Sequence, residues 1–281
     1  MTVLAAEPEL GTTDYRAIAA ILHEAARITL GPGKETLVQS RLSRRLRQRR
    51  LGGFREYVRL VRNDEGERSA MVAALTTNHT HFFREPHHFD HVRTDVLPAL
   101  KGRAGRRPLR LWSAGCSTGE EVYSLAMCLL GDSRGGARWA LDHDLRLLAT
   151  DISLPVVNTA KRGLYQECGT GSIPRPYRDL WMAPADGGLR MSADVRQLVA
   201  ARQLNLFGEW PMKRRFDAIF CRNVMIYFDD SAKAELERRL VDQLHPGGTL
   251  YLGHSERLVG DARGVMRPCG QTIYRKEGEL P

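Results

Sequence analysis

The sequence predicts an α/β protein: a doubly wound domain with an N-terminal all-helical domain and a small insertion. Three observations predict it. Residues up to about 75 show helical periodicity with no competing strand pattern. Residues 109–151 read as strand, glycine-bearing turn, helix and strand, the βαβ unit of a parallel sheet. Short apolar strands then recur to the end of the chain, around a helix over 230–244. At 281 residues the chain accommodates one α/β domain and a smaller companion, taking roughly 100–200 residues per domain.

In the first part, Tyr15 to Ile28 and Lys34 to Arg50 are amphipathic stretches, and Gly52-Gly53 breaks the chain before Phe54 to Arg62. Along the second stretch Val38, Leu42 and Leu46 recur every four residues, while Arg41, Arg44, Arg45, Arg47, Arg49 and Arg50 take most of the remaining surface. One side packs and the other is cationic, a solvated charged face being the plain alternative to a binding face. Lys101 to Pro108 is rich in glycine and arginine and reads as an exposed connection. This divides the chain into a helical domain over 1–75, a linker over 76–107 and an α/β domain over 108–281.

In that last domain Leu109 to Ala114 is a strand, Gly119 to Leu130 a helix, and Leu145 to Asp151 a second strand ending in an acid. Strands are expected at Arg202 to Phe207, Phe216 to Cys221, Thr249 to Gly253 and Gln271 to Arg275. The helix from Asp230 to Leu244 is closed by Pro246-Gly247-Gly248. Residues 163–195, with Gly169, Gly171, Pro174, Pro176 and Pro184, fit neither helix nor strand and read as an insertion.

A composition of 42% hydrophobic and 27% charged residues excludes a disordered chain. No run approaches the ~20 apolar residues of a membrane span, so no membrane insertion is expected. Met1 to Gly11 carries Glu7 and Glu9 with no basic leader, unlike a secretory signal. Five cysteines without a CxxC pair suit reduced thiols and a cytoplasmic location. The net charge of +9 implies an acidic partner, whether nucleic acid, anionic membrane or protein.

The strongest local signal is residues 111–121, Leu-Trp-Ser-Ala-Gly-Cys-Ser-Thr-Gly-Glu-Glu, where a strand enters a glycine turn and a helix. In a doubly wound sheet this is where nucleotides sit, and an acid ending the second strand, here Asp151, holds ribose hydroxyls. The spacing Gly115-xxx-Gly119 is not GxGxxG, and Glu120-Glu121 would repel a pyrophosphate at the helix N-terminus. Carboxylates suit a cationic ligand without phosphate, which favours S-adenosylmethionine in a Rossmann-like domain over NAD, with a purely structural turn as the other option. Residues 115–119 also spell GxSxG, a hydrolase elbow, but no oxyanion segment precedes it and the ribose explains Asp151 better.

Thr76 to Pro86 is polar ahead of Phe82-Phe83, as in a capped helix start. His79, His81, His87, His88 and His91 have no cysteine or ordered carboxylate set beside them, so solvated histidines are expected and no metal. Asn205 and Arg222-Asn223 fall at strand ends, on the same edge as Asp151. Tyr227 follows in the next loop, where an aromatic is as readily core.

These motifs resemble the chemotaxis receptor glutamate methyltransferases, the CheR family, from about Tyr15 to Tyr274. The resemblance rests on Thr-Thr-Asn-x-Thr-x-Phe-Phe-Arg-Glu at 76–85, Ala-Gly-Cys-Ser-Thr-Gly-Glu-Glu at 114–121, Ala-Thr-Asp-Ile at 149–152, Cys-Arg-Asn-Val at 221–224 and Gly-His-Ser-Glu at 253–256. It implies S-adenosylmethionine-dependent methyl esterification of glutamates on cytoplasmic helices of methyl-accepting chemotaxis proteins, with S-adenosylhomocysteine as product and sensory adaptation as outcome.

The resemblance further implies that Asn78, Thr80, Arg84, Glu120, Asp151, Asn205, Leu206, Arg222 and Asn223 bind the cofactor. Arg84 and Tyr227 are implied to lie near the transferred methyl and the incoming carboxylate. Arg41, Arg44, Arg45 and Arg49 are expected to face the acidic receptor helix. Because 163–195 is short and proline-rich, with no clear Gly-x-Gly-Tyr turn, no tethering of a receptor-tail pentapeptide is expected. A monomer is expected. The rival readings are a nucleic-acid methyltransferase, favoured by the charge but lacking a base-stacking platform, and a non-catalytic S-adenosylmethionine sensor.

Overall fold

The computed structural model describes residues 8–280; the reading of the first seven residues as free of a leader lies outside them. The chain forms two compact units, one reaching to Thr77 and including Tyr227–Asp229, the other Asn78–Ile226 with Asp230–Pro281.

The first unit contains α1 (Thr12–Ala26), α2 (Glu35–Arg49), α3 (Phe54–Asn63) and α4 (Glu65–Leu75). The fourth helix was not separated in the sequence reading; Asp64 caps it, accepting the Glu67 N–H at 2.9 Å. Ile18, Leu22, Val38, Leu42, Tyr57, Val61 and Met71 are fully buried between the helices, as their three- and four-residue spacing requires.

The second unit opens with α5 (Pro86–His91), a π-helical turn (Val92–Val96) and α6 (Leu97–Arg103). The π turn precedes Pro98, which has no N–H to continue the helical ladder. Of the linker expected over 76–107, residues from Asn78 onward belong to this unit, and Phe82, Phe89, Val92 and Leu100 join its core. Lys101 to Pro108 is helical as far as Arg103, and Arg107 pairs with the buried Asp217.

The chain continues through β1 (Leu109–Ala114), α7 (Glu120–Leu130), α8 (Arg138–Leu141), β2 (Leu145–Asp151) and α9 (Leu154–Arg162). The segment 163–195 proves regular, contrary to expectation. It holds β3 (Leu164–Tyr165), α10 (Arg175–Trp181), β4 (Met182–Ala185) and β5 (Gly188–Met191), with β3, β5 and β4 in one antiparallel sheet. The β4–β5 turn uses Asp186 and Gly187, and a Cβ on Gly188 would fall 2.1 Å from the Tyr165 carbonyl oxygen. Strands of two to four residues carry too little alternation to be read as strands.

Next come α11 (Ala193–Leu198), β6 (Val199–Gln203), β7 (Phe216–Cys221), α12 (Asp230–Asp242), β8 (Leu244–Leu252), β9 (Met266–Gly270) and β10 (Ile273–Lys276). The main sheet has the order β6-β2-β1-β7-β8-β10-β9. Its first five strands are parallel, and β10 alone runs against them, pairing antiparallel with both β8 and β9. Two expected strands shift: β6 spans Val199–Gln203, its ladder to β2 closing on the Leu204 N–H to Asp151 carbonyl bond, and β8 already pairs at Leu244, ahead of Pro246-Gly247-Gly248.

Candidate active site

Strand order reverses at β1, flanked by β2 and β7, which puts a crevice at the carboxyl ends of these strands. From Ala114 the chain turns through Gly115 (φ 80°), Ser117 (φ 50°) and Gly119 (φ 99°) into α7. A Cβ on Gly115 would lie 2.4 Å from Val224 Cγ2, and one on Gly119 2.8 Å from Ala160 Cβ. The Thr150 carbonyl accepts the Gly115 and Cys116 N–H groups, both at 2.8 Å. Asp151 locks the turn as well: Oδ2 accepts the Ser117 N–H and Oδ1 the Ser153 N–H, both at 2.9 Å. Each oxygen keeps a lone pair for a ligand. Burial raises the Asp151 pKa, against these backbone bonds.

Glu120 stands in the first turn of α7; Thr118 Oγ1 donates to its Oε2 at 2.6 Å, and burial raises its pKa. The Ser117 hydroxyl donates to the Asn78 carbonyl at 2.9 Å, so the serine of the GxSxG match is turned to backbone rather than to a base. That bond also fastens the 78–85 segment to the glycine turn. The Phe83 N–H donates to Ser124 Oγ at 2.9 Å, and Phe82 packs edge-on to Tyr165, whose hydroxyl donates to the Thr118 carbonyl at 2.9 Å. Phe83 (φ 53°) and Glu85 (φ 58°) flank Arg84 in the left-handed region. Arg84 Nη1 donates to the His79 carbonyl at 3.1 Å, and Thr80 lies half-buried in the same segment.

Arg222 at the end of β7 was expected to touch the cofactor, but its guanidinium is turned inward. It donates to Glu121 Oε2 at 3.1 Å and to the Arg84 carbonyl, and lies 3.3 Å from Glu85 Oε2. Asn223 (φ 58°) directs its N–H to Glu256. After β6, the Leu204 N–H donates to the Asp151 carbonyl at 2.9 Å, Asn205 Oδ1 accepts the Phe207 N–H at 3.0 Å, and the Leu206 carbonyl accepts from Arg239 at 2.7 Å. The carboxylates Glu85, Glu121 and Glu256 were not singled out from sequence as site residues. Their signal was present: each sits inside a quoted motif, Glu85 after Arg84, Glu256 before Arg257 and Glu121 after Glu120, with which it reads only as a charge at the helix start.

Tyr227 groups with the helical unit, where its hydroxyl donates to the Thr77 carbonyl at 3.4 Å and its carbonyl accepts the Thr29 N–H at 3.0 Å. In α2, Arg45 and Arg49 pair with the fully buried Glu67, and Arg41 donates to the Leu75 carbonyl at 2.6 Å. Arg44 is exposed.

The expectation of solvated histidines fails for His88 and His91, because α5 packs against the sheet. His88 is fully buried with Nε2 at 3.0 Å from Thr272 Oγ1, and His91 Nδ1 lies 2.8 Å from the Tyr251 hydroxyl. Glu85, His87 and His88 bring donor atoms within 4.8 Å of one another, but Arg222 already neutralises Glu85.

The two glycines let the turn adopt positive φ and pack against Val224 and Ala160, and the acceptors Glu120 and Asp151 beside it suit the hydroxyl and cationic groups of a ligand. These residues fit S-adenosylmethionine. Residues 78–275 match the family model for the CheR methyltransferase, SAM binding domain, and residues 13–76 that for the CheR methyltransferase, all-alpha domain. A probable chemotaxis protein methyltransferase of Rhizobium etli is 41% identical, over 91% of this chain and 96% of that one. Chemotaxis protein methyltransferase 2 of Pseudomonas aeruginosa is 41% identical over 93% and 92%, and the chemotaxis protein methyltransferase of Escherichia coli 38% identical over 94% and 91%. With both models matched in order and relatives aligned nearly end to end, the chain belongs to the CheR family of S-adenosylmethionine-dependent methyltransferases.

Proposed function

We propose that the chain esterifies glutamate γ-carboxylates on acidic cytoplasmic helices of chemoreceptors, using S-adenosylmethionine. The observation that carries the reading is the glycine turn at the switch point, with Glu120 and Asp151 beside it and no phosphate-binding spacing. When bound, the cofactor supplies an electrophilic methyl group. Asn78, Thr80, Arg84, Glu120, Asp151, Asn205 and Leu206 are assigned to holding it, with the backbone of Arg222 and Asn223; the Arg222 side chain braces the Arg84 turn instead.

A glutamate with pKa near ~4.3 is ionised at neutral pH, so direct displacement needs no general base, only alignment and exclusion of water. Arg84 is assigned to the incoming carboxylate, where a guanidinium contributes on the order of 4 kcal/mol at ~4 Å and effective dielectric ~20. Tyr227 is assigned a weaker, adjustable hydrogen bond. Attraction of the receptor falls chiefly to Arg44, since Arg41, Arg45 and Arg49 already hold partners within α2 and α4. The reading takes the protein as a cytoplasmic monomer without tail tethering or a metal. No described helix is long and apolar enough to cross a membrane.

The test is transfer of radiolabelled methyl to a receptor cytoplasmic fragment, followed by mild alkali, with Asp151→Ala as control. Alkali-labile label, absent from the control, is the expected result. Donor binding without label on several receptors would overturn it in favour of a sensor, and label on nucleic acid in favour of the other enzyme.

A further inference from the structure

We infer that Glu256 is a positioning residue that presets the loop after β7 for the methyl donor, an inference that rests on the donor-binding reading above. Glu256 is 5% exposed and follows β8. Its Oε2 accepts the Asn223 N–H at 2.8 Å and the Gly253 N–H at 2.6 Å, and its Oε1 accepts the Met225 N–H at 2.8 Å. One buried carboxylate therefore ties the end of β8 to both sides of the turn at 223–225. Three N–H donors compensate its loss of water.

Two further features belong to the same brace. Asn223 is held at φ 58°, a conformation unfavourable for a side-chain-bearing residue and tolerated best by asparagine among them. At Gly253 a Cβ would fall 2.6 Å from Asn223 Nδ2 and 2.8 Å from Glu256 Oε2, so the space beside the strand end is reserved for the carboxylate and the asparagine. Between the two braced amides, Val224 packs onto Gly115, the first glycine of the donor turn. Glu256 thus acts on the donor turn through Val224 and on the strand-end site through Asn223. Its hydrogen bonds go to backbone amides, which gives it no part in the chemical step.

The experiment compares wild type with Glu256→Gln by calorimetric titration of S-adenosylhomocysteine, by kcat and KM for donor and receptor fragment, and by thermal midpoint. A glutamine amide turns an NH2 group toward at least one of the three N–H donors, so the loop loses that tie. We expect a folded variant whose donor affinity falls about tenfold, the loss of one charge-assisted bond, with receptor-fragment KM within about twofold of wild type. Unchanged donor affinity overturns the inference, as does a parallel loss for donor and receptor that follows the thermal midpoint. Should the variant fail to fold, hydrogen exchange of the wild type decides. Protection of 222–226 without donor, comparable to β7, supports presetting, and rapid exchange until donor is added overturns it. A wild type that binds no donor refutes the donor reading instead.

Discussion

Arg222 Nη1 lies 3.1 Å from Glu121 Oε2, a pair 101 residues apart in sequence whose side chains are 2% and 13% exposed. The same guanidinium meets Glu85 and the Arg84 carbonyl. Removing such ions from water costs several kcal/mol each, and their mutual attraction offsets that only while every partner is present. Arg222 therefore ties β7, α7 and the 84–85 turn together, and the left-handed Glu85 beside Arg84 is held in part by this tie.

Arg222→Met should destabilise the protein by about 3–5 kcal/mol, because it strands two buried carboxylates. Adding Glu121→Gln to that variant should restore part of the loss, by removing one uncompensated charge. Urea unfolding of the single and double variants measures both effects; additive losses would show that the two side chains do not act as a pair.

Gly115→Ala should lower stability by about 1–3 kcal/mol and weaken donor binding, since the new methyl group overlaps Val224 and the residue must hold φ 80°. Val224→Ala in the same chain removes the overlap and leaves the backbone strain. A double-mutant cycle is expected to show a coupling above about 0.5 kcal/mol, and a coupling near zero would place the whole effect in φ.

How much of this was legible in the sequence follows from separation along the chain. The strands β1, β2 and β7 have their expected bounds, because short apolar runs flanked by turn residues are local signals. The donor turn and Asp151 are legible for the same reason, one sitting after β1 and the other ending β2. Arg222, Arg45 and Arg49 look like ligand-facing cations in sequence. Their pairing depends on carboxylates 101, 22 and 18 residues away, and no periodicity reports those. The same holds for two of the three bonds of Glu256, to Asn223 and Met225, 33 and 31 residues away; the third, to Gly253, is local.

Glu67→Gln should destabilise the helical unit by about 1–2 kcal/mol, since the buried carboxylate loses its charge-assisted bonds while the partly exposed Arg45 and Arg49 return to water. Burial alone would raise the Glu67 pKa, but hydrogen bonds from Arg45, Arg49 and Tyr57 outweigh it and hold the carboxyl below its usual value. A depressed folded pKa contributes stability that is complete above the unfolded value of ~4.3 and lost as pH falls through the folded one. The variant should lack that acid-sensitive component. Arg44→Ala, by contrast, should change stability by less than about 0.5 kcal/mol while raising receptor-fragment KM, most strongly at low salt.

His88 gives the protein a second acid sensitivity, one that sets in at higher pH. Burial, aided by Arg222 and His87, lowers its pKa from the usual 6.5 to about 3, although Glu85 Oε2 lies 3.5 Å from Nδ1. Below pH 6.5 the unfolded chain takes up a proton that the folded imidazole refuses, so stability falls as pH drops from about 6.5 toward about 3. The slope approaches ~1.4 kcal/mol per pH unit once the unfolded histidine is protonated. His88→Gln cannot titrate there, and His81, His91 and His245 change alike in both proteins. Between pH 7 and pH 5.5, above the range of most carboxylates, urea midpoints of wild type should therefore fall faster than those of the variant. Parallel curves would mean that His88 takes the proton while folded and pairs with Glu85, converting the Glu85, Arg222 and Glu121 chain into a charge-neutral set of four.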